Sequence, residues 1–154
     1  MITKDQILEI INSKLTEDNV FLVDLNVNTG NKILIELDTM QGISIEYCIE
    51  ISKLIEHSFD REIEDFEIEV SSPGLGLPYK ILHQYLKNIG NDIEVVFSNG
   101  LKTKGKLINA NSDFFEIEIQ KMVKPEGKKR KELHIETQPI KFEEVKSVKN
   151  IITF

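Results

Sequence analysis

The first seventy residues alternate between two hydrophobic periods. Ile7, Leu8, Ile11 and Leu15 recur at helical spacing behind Thr3, a residue type favoured at a helix N-cap. Apolar residues then occupy every second position of two segments separated by the turn signal Asn-Thr-Gly-Asn, in which Gly30 can adopt a positive φ. This pattern predicts a helix followed by a β-hairpin, with these apolar strand residues on one face: Phe21, Val23, Leu25, Val27, Ile33, Ile35 and Leu37.

A second helix and a third strand follow the hairpin. Ser44 is a plausible N-cap, and an apolar stripe then recurs at helical spacing through Ile45, Cys48, Ile49, Ser52, Ile55 and Phe59. The segment 65–70 alternates again, with Phe66, Ile68 and Val70 on one side and glutamates on the other. The order αββαβ predicts an α+β unit whose helices cover one sheet face, while the acidic strand residues face water.

The second half of the chain is dominated by strand patterns at short spacing. A short helix near residues 79–86 precedes five short strands separated by turn signals such as Ser-Asn-Gly and Asn-Ser-Asp. Gly105 falls in the middle of the second of these strands, where a tightly bent strand often requires a missing side chain. The pattern predicts a small barrel of the Sm or SH3 type, and therefore two domains, residues 1–76 and 77–154.

The distribution of charge supports this division. The whole chain has a net charge of -7, but residues 1–76 carry 16 acidic and 5 basic residues, whereas residues 77–154 carry 10 acidic and 14 basic ones. The acidic charge of residues 1–76 favours binding to a basic protein over binding to a nucleic acid. An acidic face that is merely solvated and has no partner explains the charge equally well. The single cysteine excludes an intrachain disulfide, and no signal peptide or membrane-length apolar run is evident. We therefore expect a cytoplasmic protein.

The segment Glu67–Lys80, EIEVSSPGLGLPYK, combines features of three kinds of site. It lacks the G-x-S-x-G pattern of a hydrolase, and Pro73 restricts Ser72 to extended geometry. It also lacks the Walker pattern of a phosphate loop, and its prolines remove backbone N–H groups that a phosphate would need. Ser72-Pro73-Gly74-Leu75 instead fits a type II turn with positive φ at Gly74, which would end the strand and redirect the chain.

The remaining reactive residues do not form a recognisable catalytic set. His57, His83 and His134 fall in three different predicted elements, and none lies in an H-E-x-x-H arrangement. Cys48 lies on the apolar stripe of the second helix, which predicts a small buried side chain. We expect no enzyme activity, no metal site and no cofactor.

Two basic features are candidates for contact with RNA phosphates. Lys102, Lys104 and Lys106 alternate along one strand, so their side chains should project from one face. Lys128, Lys129, Arg130 and Lys131 form a four-charge run in a loop. The alternative is a solvated loop together with edge-strand lysines that discourage sheet aggregation. The second half shows no interleaving of basic and aromatic residues, which argues against a base-stacking platform.

The strand that runs into Ser71, Ser72, Pro73, Gly74 and Leu75, after an αββαβ pattern and before a small β domain, resembles the ribosome maturation factor RimP family. Cys48 in the second helix, the "F.IEV" strand and the turn SNGLKTKGKLI also fit the family pattern. The resemblance covers essentially the whole chain. One departure concerns Gly76 and Leu77, because the family commonly has Asp-Arg at these positions, so any contact through that charge pair cannot be transferred.

The resemblance implies a non-enzymatic assembly factor for the small (30S) ribosomal subunit with an Sm-like C-terminal barrel. It implies association with immature small subunits and with the basic ribosomal protein numbered twelve of that subunit, close to 16S rRNA. The acidic first half and basic second half are compatible with such partners. Two alternatives stay open: an Sm- or KH-like RNA-binding module that acts outside ribosome assembly, and a small enzyme. The G-x-x-G loop of a KH domain is absent from the sequence.

Overall fold

The structure, a computed structural model, describes residues 1–74, 76–124, 126–127 and 130–151, with only the backbone described for Val123. The chain divides into two compact units, residues 1–74 and 75–154. Among the described residues, no helix is both long enough and apolar enough to span a membrane.

The first unit has the predicted element order αββαβ. Its sheet has the strand order β1-β2-β3, with β1 and β2 antiparallel and β2 and β3 parallel. The parallel pair is possible because α2 crosses over between the two strands. The elements are α1 Lys4–Glu17, β1 Phe21–Asn28, β2 Lys32–Asp38, α2 Ile45–Glu56 and β3 Glu67–Ser71.

Both predicted N-caps are confirmed. The Thr3 hydroxyl accepts a hydrogen bond from the Gln6 backbone N–H (3.3 Å), and the Gln6 side chain accepts one from the Thr3 N–H (2.9 Å), which completes a capping box. The Ser44 hydroxyl accepts from the Tyr47 N–H at 3.1 Å. The helices pack on one sheet face, since their buried residues share a core with alternate residues of β2: Ile7, Ile11, Leu15, Ile33, Ile35, Leu37, Ile51 and Ile55.

The predicted apolar stripe of α2 is wrong at two positions. Ile45 is exposed and Ile49 is 48% exposed, whereas Ile51, which the stripe omitted, is fully buried. Cys48 and Ile55 are buried as predicted. The helix carries apolar residues around much of its circumference, so two overlapping stripes satisfy helical spacing, and contact with the sheet selects the one through Ile51.

The predicted alternation along β1 is confirmed in the burial of Val23 and Leu25, but the strand contains a bulge that changes which residues share a face. The pairing with β2 shifts register between Leu22 and Asp24. As a result the partly buried Leu22 packs with Leu25 against the core cluster of the first unit, whereas Val23, although buried, lies outside that cluster. A bulge inserts one residue without changing the apolar composition, so the period-two pattern does not reveal it.

Asn31 is a buried polar residue that the sequence pattern did not single out. Its side-chain oxygen accepts the Ile2 N–H (3.1 Å), and its amide nitrogen donates to the Asp65 carbonyl (3.1 Å). Asn31 adopts φ 57°, next to Gly30 with the predicted positive φ (82°). One asparagine at the hairpin turn therefore holds the N-terminal segment and the segment that precedes β3.

The second unit contains a short helix followed by five strands in one antiparallel sheet. The strand order is β7-β6-β5-β4-β8, so β5 lies in the middle and β7 and β8 are the edges. A single 3₁₀ turn, Phe142–Glu144, precedes the last strand. The elements are α3 Leu82–Lys87, β4 Asp92–Phe97, β5 Lys102–Ala110, β6 Phe114–Val123, β7 Glu132–Lys141 and β8 Val145–Asn150.

All five strands contribute to one core that includes Tyr85 of α3. Gly105 is required there as predicted, since a Cβ at this position would lie 2.8 Å from the Glu118 carbonyl oxygen and 3.3 Å from the Ile117 side chain. Among the described residues no ladder joins β7 to β8, so the sheet is not closed by hydrogen bonds. The predicted Sm- or SH3-like barrel therefore stays a prediction.

Candidate partner-binding surfaces

The Ser-Ser-Pro-Gly segment lies where β3 ends. Ser71 is the last residue of the strand and pairs with Glu36 of β2. Ser72 and Gly74 are exposed, and Pro73 is half-buried. The strand therefore ends at the first serine, as the restricted geometry before Pro73 favours.

The positive φ predicted at Gly74 lies at Gly76 instead, with φ 73°. Both glycines tolerate this conformation, so the sequence could not choose between them. A type II turn requires a positive φ at its third residue, so the backbone at Gly74 contradicts the type II turn predicted for Ser72 to Leu75. Leu75 itself lies outside the described residues.

The three lysines of β5 are exposed on one face, as their spacing predicts. Although β5 is the middle strand of its sheet, only Lys106 is paired with both neighbouring strands, and the described pairing of Lys102 and Lys104 is with β4 alone. Two of them have cross-strand neighbours of opposite charge: Lys104 lies opposite Glu94, and Lys106 lies between Asp92 and Glu118, whereas Lys102 lies opposite Val96. Such pairs offset the lysine charge locally, so this face is mixed rather than uniformly basic.

The net positive charge of the second half resides in the β6–β7 loop. Residues 124–131 carry five Lys or Arg residues and one Glu, whereas the rest of 77–154 carries nine residues of each sign. Arg130 and Lys131 are exposed, as is Lys124 at the end of β6. Lys128 and Lys129 of the predicted basic run lie outside the described residues. The positive excess of the second half is thus concentrated in the sequence between β6 and β7.

The acidic residues of the first unit are spread over its helices, strands and loops. A small polar cluster joins α1 to α2 beside a groove of about 450 Å³. The Tyr47 hydroxyl donates to Asp18 (2.8 Å), and Lys14 lies 3.2 Å from Asp18 and 3.4 Å from Glu50. The hydrogen bond from Tyr47 is the main reason why the pKa of Asp18 lies below its usual value, and the hydrogen bond from Lys14 is the second. The pKa of Tyr47 is raised, chiefly by burial. These contacts tie the two helices together.

The reactive side chains are dispersed. His57 caps α2, His83 lies in α3 and His134 lies in β7. Cys48 is buried, and burial raises the pKa of its thiol. In the part of the chain that the structure describes, no group of three His, Cys, Asp or Glu side chains is placed to hold a metal ion.

Comparison with known proteins finds relatives of this chain. Residues 10–76 match the family model of the RimP N-terminal domain. The ribosome maturation factor RimP of Porphyromonas gingivalis is 39% identical over 152 residues, which cover 99% of this chain and 100% of that protein. The chain belongs to the RimP family. The RimP of Christiangramia forsetii is 38% identical over 124 residues, 79% of this chain and 80% of that protein, and the RimP of Flavobacterium psychrophilum is 44% identical over 96 residues, 62% of each.

The family match extends through both units, since the alignment with the Porphyromonas RimP covers nearly the entire chain. The resemblance first seen in the residues 71–75 is therefore confirmed. The sequence missed two features that the structure places at the candidate surfaces: the carboxylates opposite the β5 lysines, which depend on strand register, and the extension of β6 and β7 beyond β5, which depends on where β5 ceases to pair.

Proposed function

We propose that this protein is a non-enzymatic assembly factor that acts in the cytoplasm on the immature small (30S) ribosomal subunit. The observation that supports this most strongly is membership of the RimP family over 99% of the chain, at 39% identity to a protein named as a ribosome maturation factor. Its relatives are ribosome maturation factors, which supports a role in ribosome assembly. The choice of the small subunit and of partners on it belongs to the proposal.

The proposed partners are the basic small-subunit protein numbered twelve and the adjacent 16S rRNA. The first unit has 16 acidic residues against 5 basic ones, which favours contact with a basic protein over contact with RNA. The positive excess of the second half favours RNA. We therefore propose that residues 1–76 and 77–154 are two domains that meet different components of the same subunit.

We also propose that the second unit is an Sm-like barrel. The support is its strand order and the single core to which all five strands contribute. An experimental structure in which β7 and β8 diverge on opposite sides of an open, flat sheet would contradict this proposal.

Cosedimentation of the purified protein with immature and mature small subunits tests the proposed function. We expect the protein to sediment with immature subunits and to remain largely in the supernatant with mature ones, because an assembly factor must leave when its target is complete. Equal binding to both kinds of subunit, or binding to neither, would reject it. Binding to free RNA without preference for immature subunits would favour the RNA-module alternative.

A further inference from the structure

The paired ends of β6 and β7 extend beyond the rest of their sheet. The described pairing of β6 with β5 begins at Glu118, opposite Lys106, whereas β6 and β7 remain paired as far as Val123 and Glu132. Residues 119–123 and 132–136 therefore form a two-stranded ribbon without a recorded third strand. We call these residues, together with the described loop residues 124, 126, 127, 130 and 131, the arm.

The hydrophobic pattern changes face where the arm begins. In the sheet, Phe115 and Ile117 point into the core, and Glu116 and Glu118 alternate with them on the opposite face. Along the arm, that second face carries Met122, Leu133 and Ile135, because Met122 pairs with Leu133 and Gln120 pairs with Ile135. The core-side face becomes polar beyond Ile119: Lys121 pairs with His134, and Lys121 contacts Glu136 at 3.5 Å.

The three apolar side chains of the arm do not belong to the core of the second unit. Met122 is 61% exposed, Leu133 53% and Ile135 58%. Single exposed apolar residues are ordinary, but adjacent ones on one face of a ribbon mark a contact surface. These three apolar side chains are not required for pairing of β6 with β7, because polar residues with high β-propensity, such as Thr, could occupy the same positions.

The charge around this apolar face indicates the kind of partner. Lys121, Lys124, Arg130 and Lys131 are exposed on the described part of the arm, and the loop contains the whole positive excess of residues 77–154. A second copy of the arm would be repelled by the same charge, whereas a polyanion would be attracted. Leu, Ile and Met are also side chains that architectural DNA-binding proteins insert between base steps, which shows that aliphatic side chains can pack against base faces.

We propose that the arm binds RNA, with its cations on phosphates and with Met122, Leu133 and Ile135 against bases of a single-stranded or irregular segment. An unpaired segment is the fitting target because its bases are accessible, whereas the deep groove of a regular RNA duplex is closed to side chains. The identification of this RNA as ribosomal rests on the proposed function. The arm has no Phe, Tyr or Trp, so its apolar face would contact bases through aliphatic side chains.

Binding of the full-length protein to a labelled single-stranded RNA oligonucleotide, and to a duplex of the same length, tests this proposal across a salt titration. For Lys124→Gln/Arg130→Gln/Lys131→Gln we expect affinity for the single strand to fall at least tenfold. The slope of log affinity against log salt should fall by about two, since each lost phosphate contact removes about 0.7. For Met122→Thr/Leu133→Thr/Ile135→Thr we expect at least a threefold loss with an unchanged slope.

Lys102→Gln/Lys104→Gln/Lys106→Gln is the matched control, because it removes the same number of exposed cations from the same unit. We expect it to bind within about twofold of the wild type, since opposite charges offset two of these lysines. Circular dichroism of each variant should match the wild type. The proposal would be overturned if the arm variants and the control variant lost RNA affinity equally. It would also be overturned if the arm variants bound RNA as tightly as the wild type, or if the wild type bound neither the single strand nor the duplex.

Cosedimentation with immature subunits separates this inference from the proposed function. If the wild type associates with immature subunits and the arm variants associate equally well, the arm proposal fails and the proposed function stands. If the apolar variant keeps its RNA affinity but loses the subunits, the arm contacts a protein and the proposal is overturned. If the wild type does not sediment with immature subunits but the arm binds RNA as expected, the proposed function fails and the arm proposal stands.

Discussion

The two units distribute charge and exposed apolar surface in different ways. In the first unit the acidic residues are spread over helices, strands and loops, so acidity belongs to the unit as a whole. In the second unit cations and carboxylates alternate across the sheet, and the positive excess is confined to residues 124–131. Single substitutions should therefore change the electrostatics of the first unit gradually, whereas a few substitutions in one loop should abolish the basic character of the second.

The largest expected effect on stability is at α2, where substitutions test which helix residues pack against the sheet of the first unit. Ile51→Ala should lower the free energy of unfolding by about 2–5 kcal/mol, because it removes a fully buried side chain between helix and sheet. Ile49→Ala is the matched control on the same helix and should cost less than about 0.5 kcal/mol. Urea unfolding followed by circular dichroism measures both. Equal losses of unfolding free energy in the two variants would contradict the observed packing and favour the stripe predicted from the sequence.

The corresponding test in the second unit is Gly105→Ala. The added Cβ meets a backbone oxygen at 2.8 Å, so the strands must shift, and we expect a loss of about 1–3 kcal/mol. Lys104→Ala changes an exposed neighbour on the same strand and should be nearly neutral. Hydrogen exchange of peptides from β5 and β6 locates the effect. Unchanged protection in the Gly105 variant would show that β5 and β6 do not approach as closely as described.

Asn31 tests whether one polar side chain organises the first unit. Asn31→Ala removes the acceptor for Ile2 and the donor for Asp65, and it places alanine at positive φ, so we expect a loss of about 1–3 kcal/mol. Asn28→Ala, in the same hairpin, is exposed and should cost much less. Thermal unfolding compares the two variants. A cost at Asn28 equal to that at Asn31 would contradict the assigned role.

Cys48 provides a chemical probe of the first unit without a stability change. Because the thiol is buried and its pKa is raised, it should react with a disulfide reagent at least tenfold more slowly in the folded protein than in urea. Rapid reaction of the folded protein at neutral pH would mean that α2 does not cover this residue.

The smallest expected effect concerns the pH dependence of the contact between α1 and α2. The folded-state pKa of Asp18 is lowered, so its contribution to stability is present above the usual aspartate pKa of about 4 and is lost as pH falls through the folded value. Asp18→Asn should therefore be slightly less stable than the wild type at pH 7, and the difference should vanish in acid. Glu17→Gln controls for charge. A difference independent of pH would contradict this account.

The sequence predicted most of the architecture because its strongest signals are local. Helix caps at Thr3 and Ser44, the hairpin turn at Gly30 and the short strands of the second half all depend on neighbouring residues. The errors arose where tertiary contact decides. Helix α2 has two apolar stripes that fit helical spacing, and only the sheet selects Ile51 over Ile49.

The candidate surfaces show the same limit. Spacing along one strand predicted that the β5 lysines share a face, but it could not reveal the carboxylates opposite them or the central position of β5, which depend on strand order and register. The Ser-Ser-Pro-Gly segment identified the family, yet its positive φ lies at Gly76 rather than Gly74. In both cases the residues were found from the sequence, and their surroundings required the fold.

Crosslinking of the protein on immature small subunits tests most directly the central claim that the two units meet different components. Ultraviolet crosslinking should join rRNA chiefly to peptides of residues 119–136. Lysine-directed or carboxylate-directed crosslinking should join peptides of residues 1–74 to a basic ribosomal protein. We predict this separation of partners. Crosslinks to rRNA concentrated in the first unit, with none in residues 119–136, would contradict the account.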